Sequence, residues 1–135
     1  MNIPRYIALV IAMTLSATPL SAGTDLFRDA LPAVERDQLA YEVATIRLNV
    51  EDALARLKQG NAKLNEGDVD GAIAEYDLAL ALDGLLVEAY RMRGIAYAKN
   101  GETDRAIMNF RTVLYFYPED EDAKERLTAL GATPK

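Results

Sequence analysis

The side chains of this 135-residue chain that could do chemistry are carboxylates, lysines, arginines and tyrosines, because it contains no cysteine and no histidine. That composition excludes disulfides, thiol nucleophiles, zinc sites of the Cys/His type, histidine-based triads and haem attachment. Paired carboxylates, the usual acid and base of hydrolases, occur at Asp68 with Asp70 and at Glu119 with Glu121. Both pairs fall on predicted turns or helix starts rather than across a cleft, so no catalytic residue is assigned and the chain is read as a non-enzyme. The acids that begin at Glu119 suit the first turn of a helix, whose dipole favours negative charge. A calcium loop needs alternating ligands around a central glycine, and no segment supplies them, so neither metal nor cofactor is expected. With a formal net charge of −6 and no cluster of Lys and Arg, nucleic acid is not an expected partner.

Several elements must position these groups. Residues 1–22 read as a secretory signal peptide: Arg5 supplies the basic end, residues 6–15 (YIALVIAMTL) are an uncharged apolar run, and Ser16 to Gly23 contains small residues at the cleavage point. Cleavage is expected after Ala22 or Gly23. The apolar run is too short for a bilayer, which needs about 20 residues, so the expected product is exported and periplasmic. An N-terminal helical segment follows over residues 23–52, with a short helix over 24–31, after which Pro32 either stops that helix or opens the next one at its first turn. Apolar residues then fall at Leu39, Val43, Ile46, Val50, Leu54 and Leu57, with heptad-like spacings of three and four. No run of opposite charges flanks this seam. It predicts either a helix packed on its own domain or a homo-oligomer through residues 33–57. Asn49, followed by Glu51 and Asp52, could cap a new helix, so residues 33–65 are compatible with one helix or two.

The rest of the chain repeats. Shifting residues 53–86 onto 87–120 gives eight identities: Ala55/Ala89, Gly60/Gly94, Ala62/Ala96, Gly67/Gly101, Asp70/Asp104, Ala72/Ala106, Ile73/Ile107 and Leu80/Leu114. Each copy shows two helical periods joined by a glycine turn. Such a hairpin leaves one apolar face uncovered, which is why a second copy stacks on it. Residues 87–120 resemble a tetratricopeptide repeat (TPR): Tyr90, Gly94, Tyr97, Ala106, Phe110 and Pro118 stand at that family's spacing, with Arg93 in place of its leucine. Residues 53–86 are similar in a more degenerate way. They keep Gly60, Ala72, Tyr76 and Ala79 but carry Arg56, Gln59, Lys63 and Gly84 at the aromatic, leucine, tyrosine and proline positions. The expected fold is therefore all-α, with two TPR-type repeats and a capping helix and tail over residues 121–135.

In these terms Gly60 and Gly94 allow the two helices of a hairpin to cross closely, Ala72 and Ala106 present small side chains to that crossing, and Tyr76 and Phe110 fill the gap between hairpins. The resemblance implies a concave surface lined by the first helix of each hairpin. In this chain it would be formed by Leu57, Asn61 and Asn65 beside Arg91, Ile95 and Lys99, with Leu64 flanking the first stripe. These residue types suit another protein or an extended peptide segment: amides for its backbone, Ile95 and Leu57 as an apolar floor, Arg91 and Lys99 for a carboxylate. The clamp by which some TPR domains hold acidic chaperone tails is matched only at Asn61 and Arg126, while Leu57, Met92 and Asp122 differ, so that ligand is not expected. The expected function is an exported adaptor, or a homo-oligomeric envelope component built through the heptad-like helix.

Overall fold

A computed structural model describes residues 33–134; the expected signal peptide (1–22) and the short helix over 24–31 lie outside the described residues. Among the described residues the chain is all-α, with five helices and no strand: α1 (Ala33–Glu66), α2 (Val69–Leu82), α3 (Val87–Lys99), α4 (Thr103–Phe116) and α5 (Glu121–Ala129). The chain divides after Leu48, and the packing described here is that of the unit beginning at Asn49.

α1 is one helix of 34 residues, about 51 Å long at 1.5 Å per residue. Asn49, Glu51 and Asp52 lie within it rather than at a new start, and the boundary between residues 52 and 53 is not marked by a break. The cause is local: no glycine or proline occurs between Ala33 and Gly60. Thr45 bonds back to the Tyr41 carbonyl at 2.9 Å, as a hydroxyl inside a helix can.

The helix ends repeat with the sequence. Gly67 (φ +87°) closes α1, and Gly101 (φ +78°) closes α3. In each case the residue after the glycine donates its N–H back across the turn, Asp68 to Lys63 and Glu102 to Tyr97, both at 2.9 Å. A left-handed residue at this position favours glycine. The following starts differ. Asp68 caps α2 by accepting from the Gly71 N–H at 2.9 Å, whereas α4 begins after Glu102 with no side-chain cap. At the far ends, Leu86 N–H donates to Asp83 and Asp120 N–H to Tyr117, an equivalent turn although Gly84 stands where the second copy has Pro118.

The glycines and aromatics meet within each hairpin. A methyl group added at Gly60 would come 2.5 Å from the Tyr76 ring, and one at Gly94 would come 3.0 Å from the Phe110 ring. Each glycine therefore seats the aromatic residue 16 positions on, in addition to letting Ala72 and Ala106 pack without exposure. Tyr76 and Phe110 are fully buried, which for Phe110 contributes about 1.5–3 kcal/mol relative to an exposed ring. Tyr76 belongs to a cluster with Leu57, Leu64, Ala72, Ala79, Ala89 and Ala96. Phe110 belongs to one with Tyr97, Ala106, Val113, Leu114, Ala123 and Leu127. Ile73 and Ile95 pack against both clusters and make one continuous core.

The covered stripe of α1 differs from the expected seam. Ala53, Leu57, Gly60 and Leu64 are buried, while Leu54 is turned outward and 42% exposed. The seam therefore passes through Ala53, not Leu54, keeping the alternation of four and three residues that a single helix face requires.

Candidate functional site

Arg91 lies in the first half of α3, and its side chain reaches Asp120 at the start of α5. Its guanidinium makes a two-pronged contact with Asp120: Nη1 donates to Oδ1 at 3.0 Å and Nη2 to Oδ2 at 2.5 Å. Nη1 also donates to Asp122 at 3.0 Å, and Nε donates to Glu88 at 3.0 Å. Asp120 is the N-cap of α5 and accepts the Ala123 N–H at 2.9 Å. The Arg91 guanidinium, then the Ala123 N–H, hold the Asp120 carboxyl down to about 2, and the Asp120 contact is the main cause that raises Arg91. Parallel charge-assisted bonds of this kind fix orientation as well as attraction. The cation expected to hold a ligand's carboxylate thus holds the chain's own, and fastens α5 to α3. In the sequence the acids near Glu119 explain themselves as a helix first turn, which concealed their second partner.

The other residues of the expected surface separate into two groups. Leu57 and Leu64 are 8% and 7% exposed and sit in the core with Tyr76, so they offer no floor to a ligand. They occupy the seam that α2 covers. Ile95 is half-buried against the same cluster. Asn61 is half-buried, and its side-chain oxygen accepts from the Tyr76 hydroxyl at 2.8 Å, leaving its amide NH2 to donate. Burial pushes the Tyr76 hydroxyl up to about 12, so it remains a donor at neutral pH. Asn65 and Lys99 are exposed, and Lys99 makes no ion pair among the described residues. The motif residues Gly60, Gly94, Tyr97, Ala106 and Phe110 are buried, Tyr90 is half-buried, and Pro118 is exposed.

One constellation was not expected. Glu75 is buried between α1 and α2 and accepts from Arg56 at 3.1 Å and Lys63 at 2.9 Å. Lys63 first, then Arg56, hold its carboxyl below the usual carboxylate range. Thirty-four residues on, the three positions are Tyr90, Tyr97 and Asn109. Asn109 is also buried, bonded to Arg93 at 2.9 Å and to the Arg105 carbonyl at 2.8 Å. Arg93 and Arg105 in turn stand over the Tyr90 and Tyr97 rings, each 5.4 Å from the centroid. One hairpin pairs two bases with an acid, where the other bonds Arg93 to an amide and sets Arg93 and Arg105 over two tyrosine rings. The sequence signal was Arg56 and Lys63 at aromatic positions together with Glu75 on the buried side of α2.

The carboxylate pairs are occupied structurally. Asp68 caps α2, Asp70 accepts from Asn100 at 3.4 Å, and Glu119 and Glu121 share Lys124 at 3.2 and 2.9 Å. An open cleft of about 350 Å³ lies between the 83–88 turn, Arg91 and Tyr117. Among the described residues no group of three or more carboxylates is arranged to hold a metal, and no helix is long and apolar enough to cross a membrane. No protein-family model matches the chain, and no curated protein matches it.

Proposed function

We propose that this chain is an exported, periplasmic adaptor of the tetratricopeptide-repeat type, which binds another protein or an extended peptide segment and catalyses no reaction. What supports the repeat reading is the recurrence at 34 residues of the glycine–aromatic seat, Gly60 with Tyr76 and Gly94 with Phe110. Export rests on the sequence of residues 1–22.

The ligand-facing residues are Asn61 and Asn65 on α1 with Ile95 and Lys99 on α3, which occupy equivalent positions in the two copies. Leu57, Leu64 and Arg91 act in this reading as core and as the fastening of α5. The amides of Asn61 and Asn65 address a peptide backbone, and Lys99 addresses an acidic side chain or terminal carboxylate. The test is capture of partner from envelope extracts by the purified chain, comparing Lys99→Glu and Asn65→Ala with Tyr115→Ala. Tyr115 is 82% exposed on α4 and outside the proposed face. The first two variants should lose the captured partner while keeping wild-type helicity, and the third should retain it. Equal recovery by all three would remove this face from the account.

A further inference from the structure

We infer that the cleft between the 83–88 turn and Tyr117 is a second docking site, which receives a basic side chain, lysine or arginine, of a partner protein. The inference is separate from the face carrying Asn65 and Lys99 and stands without it. The ends of the two hairpins differ where copies should match. At the offset of 34 residues, Asp83-Gly84-Leu85-Leu86 corresponds to Tyr117-Pro118-Glu119-Asp120. Leu85 therefore stands where the other copy carries an exposed acid, and it is itself 73% exposed. The turn closes through backbone, Leu86 N–H donating to the Asp83 carbonyl at 3.2 Å, so its closure does not explain this leucine. Nor does the core, because Leu86 and Val87 are the neighbours that pack against the two clusters. Leu85 and Tyr117, the latter 58% exposed, give the cleft an apolar lining that folding leaves uncovered.

Charge and size select the occupant. Arg91, the only base lining the cleft among the described residues, already meets Glu88, Asp120 and Asp122, and Arg126 also binds Asp122. Asp83 lines the cleft as well, so four acids stand against two bases, an excess of two negative charges. An anionic ligand would face that excess, and a wholly apolar one would bury acids without partners. Both lining acids keep an acceptor for a cation. Asp83 accepts from the Leu85 N–H through Oδ1 at 2.9 Å, and Glu88 accepts from Arg91 Nε through Oε2 at 3.0 Å. The second oxygen of each has no hydrogen-bond partner among the described residues. Lysine and arginine match both features, since their aliphatic stems lie along apolar surface while their charged heads stay with water or carboxylate. The cleft is open and holds about 350 Å³, the low end of the range of about 300–1,000 Å³ for small-ligand sites. A site of that size covers one or two side chains held by the rest of a partner, rather than enclosing a free molecule.

The test uses the full-length chain, expressed and purified as the cell processes it and isotopically labelled for amide NMR. It is titrated with three probes, acetyl-Leu-Arg-Leu-amide, acetyl-Leu-Gln-Leu-amide and acetyl-Leu-Glu-Leu-amide, up to about 10 mM, a range suited to a dissociation constant on the order of millimolar. The arginine probe should shift the amides of residues 83–88 and Tyr117. It should bind about fivefold more tightly than the glutamine probe, as one exposed ion pair permits. That advantage should vanish in the double variant Asp83→Asn, Glu88→Gln, whose new side chains retain an acceptor for the bonds from Leu85 and Arg91. Leu85→Ser should weaken the arginine and glutamine probes alike. The comparison of probes on the unsubstituted chain needs no variant to fold. Shifts absent or centred elsewhere, equal binding of the three probes, tighter binding of the glutamate probe, an arginine advantage that survives the double variant, or binding indifferent to Leu85→Ser would each overturn the inference.

Discussion

Arg91 on α3 grips both carboxylate oxygens of Asp120, 29 residues away, at the moment where Asp120 also caps α5. One carboxylate therefore serves two helices. The side chains are 19% and 16% exposed, so the contact is only partly screened by water.

The first prediction follows from that double use. Arg91→Met keeps the stem and removes the three-carboxylate grip, and it should cost about 1–3 kcal/mol of stability. Amide exchange should rise selectively in Glu121–Ala129. Loss of protection spread evenly over all five helices would contradict the fastening role, and unchanged exchange in α5 would remove it.

A pH dependence has the same origin. Asp120 is held at about 2 against the usual 3.8, and Asp122 and Glu75 are lowered as well. A carboxylate lowered by folding stabilises the protein fully above its unfolded value, and that stabilisation disappears as pH falls through the folded value. Stability should accordingly fall between about pH 4 and pH 2. Asp120→Asn should flatten part of that slope in urea midpoints measured across the range. An identical slope would show that Arg91 does not hold Asp120 as described.

The two glycines should not be equivalent. Alanine at Gly60 drives a methyl into a ring that is fully buried and tied by its hydroxyl to Asn61. The expected cost is about 1–3 kcal/mol. At Gly94 the same change meets Phe110 at 3.0 Å and Asn109 at 3.2 Å. A gain in helix propensity of about 1 kcal/mol offsets much of that tighter fit. Thermal melts of Gly60→Ala and Gly94→Ala read the difference, and equal loss would mean that the aromatics are not seated as described.

If the hairpins are copies, their buried polar groups should be exchangeable as sets but not singly. Glu75→Asn alone leaves Arg56 and Lys63 facing each other without their acid, and the melting temperature should drop. Combining it with Arg56→Tyr, Lys63→Tyr and Gln59→Arg, whose counterparts are Tyr90, Tyr97 and the Arg93 that bonds Asn109, should let the melting temperature recover. A fourfold variant less stable than the single one would refute the equivalence.

Much of the helical order was legible because glycine and proline act locally. Gly67, Gly101 and Pro118 mark helix ends by their own backbone preferences, and a 34-residue offset needs only counting. The single long α1 was not decided, since Asn49 followed by two acids satisfies the local rule for a helix start equally well. Contacts between distant side chains were less visible. Leu57 and Leu64 are apolar residues on an amphipathic helix, and only the direction from which α2 approaches distinguishes core from surface. Arg91 looked available because its partners, Asp120 and Asp122, already had a sufficient local explanation. Arg56 and Lys63 looked like decay of the repeat until Glu75 was placed between them.

The central claim is that the free face carrying Asn65 and Lys99 is where a partner binds. A photo-activatable amino acid introduced singly at position 65, 99 or 115, followed by irradiation in living cells and mass determination of adducts, tests it most directly. The account predicts one shared adduct from positions 65 and 99 and none of that mass from 115. An adduct from position 115 alone, or none from 65 and 99, would contradict it.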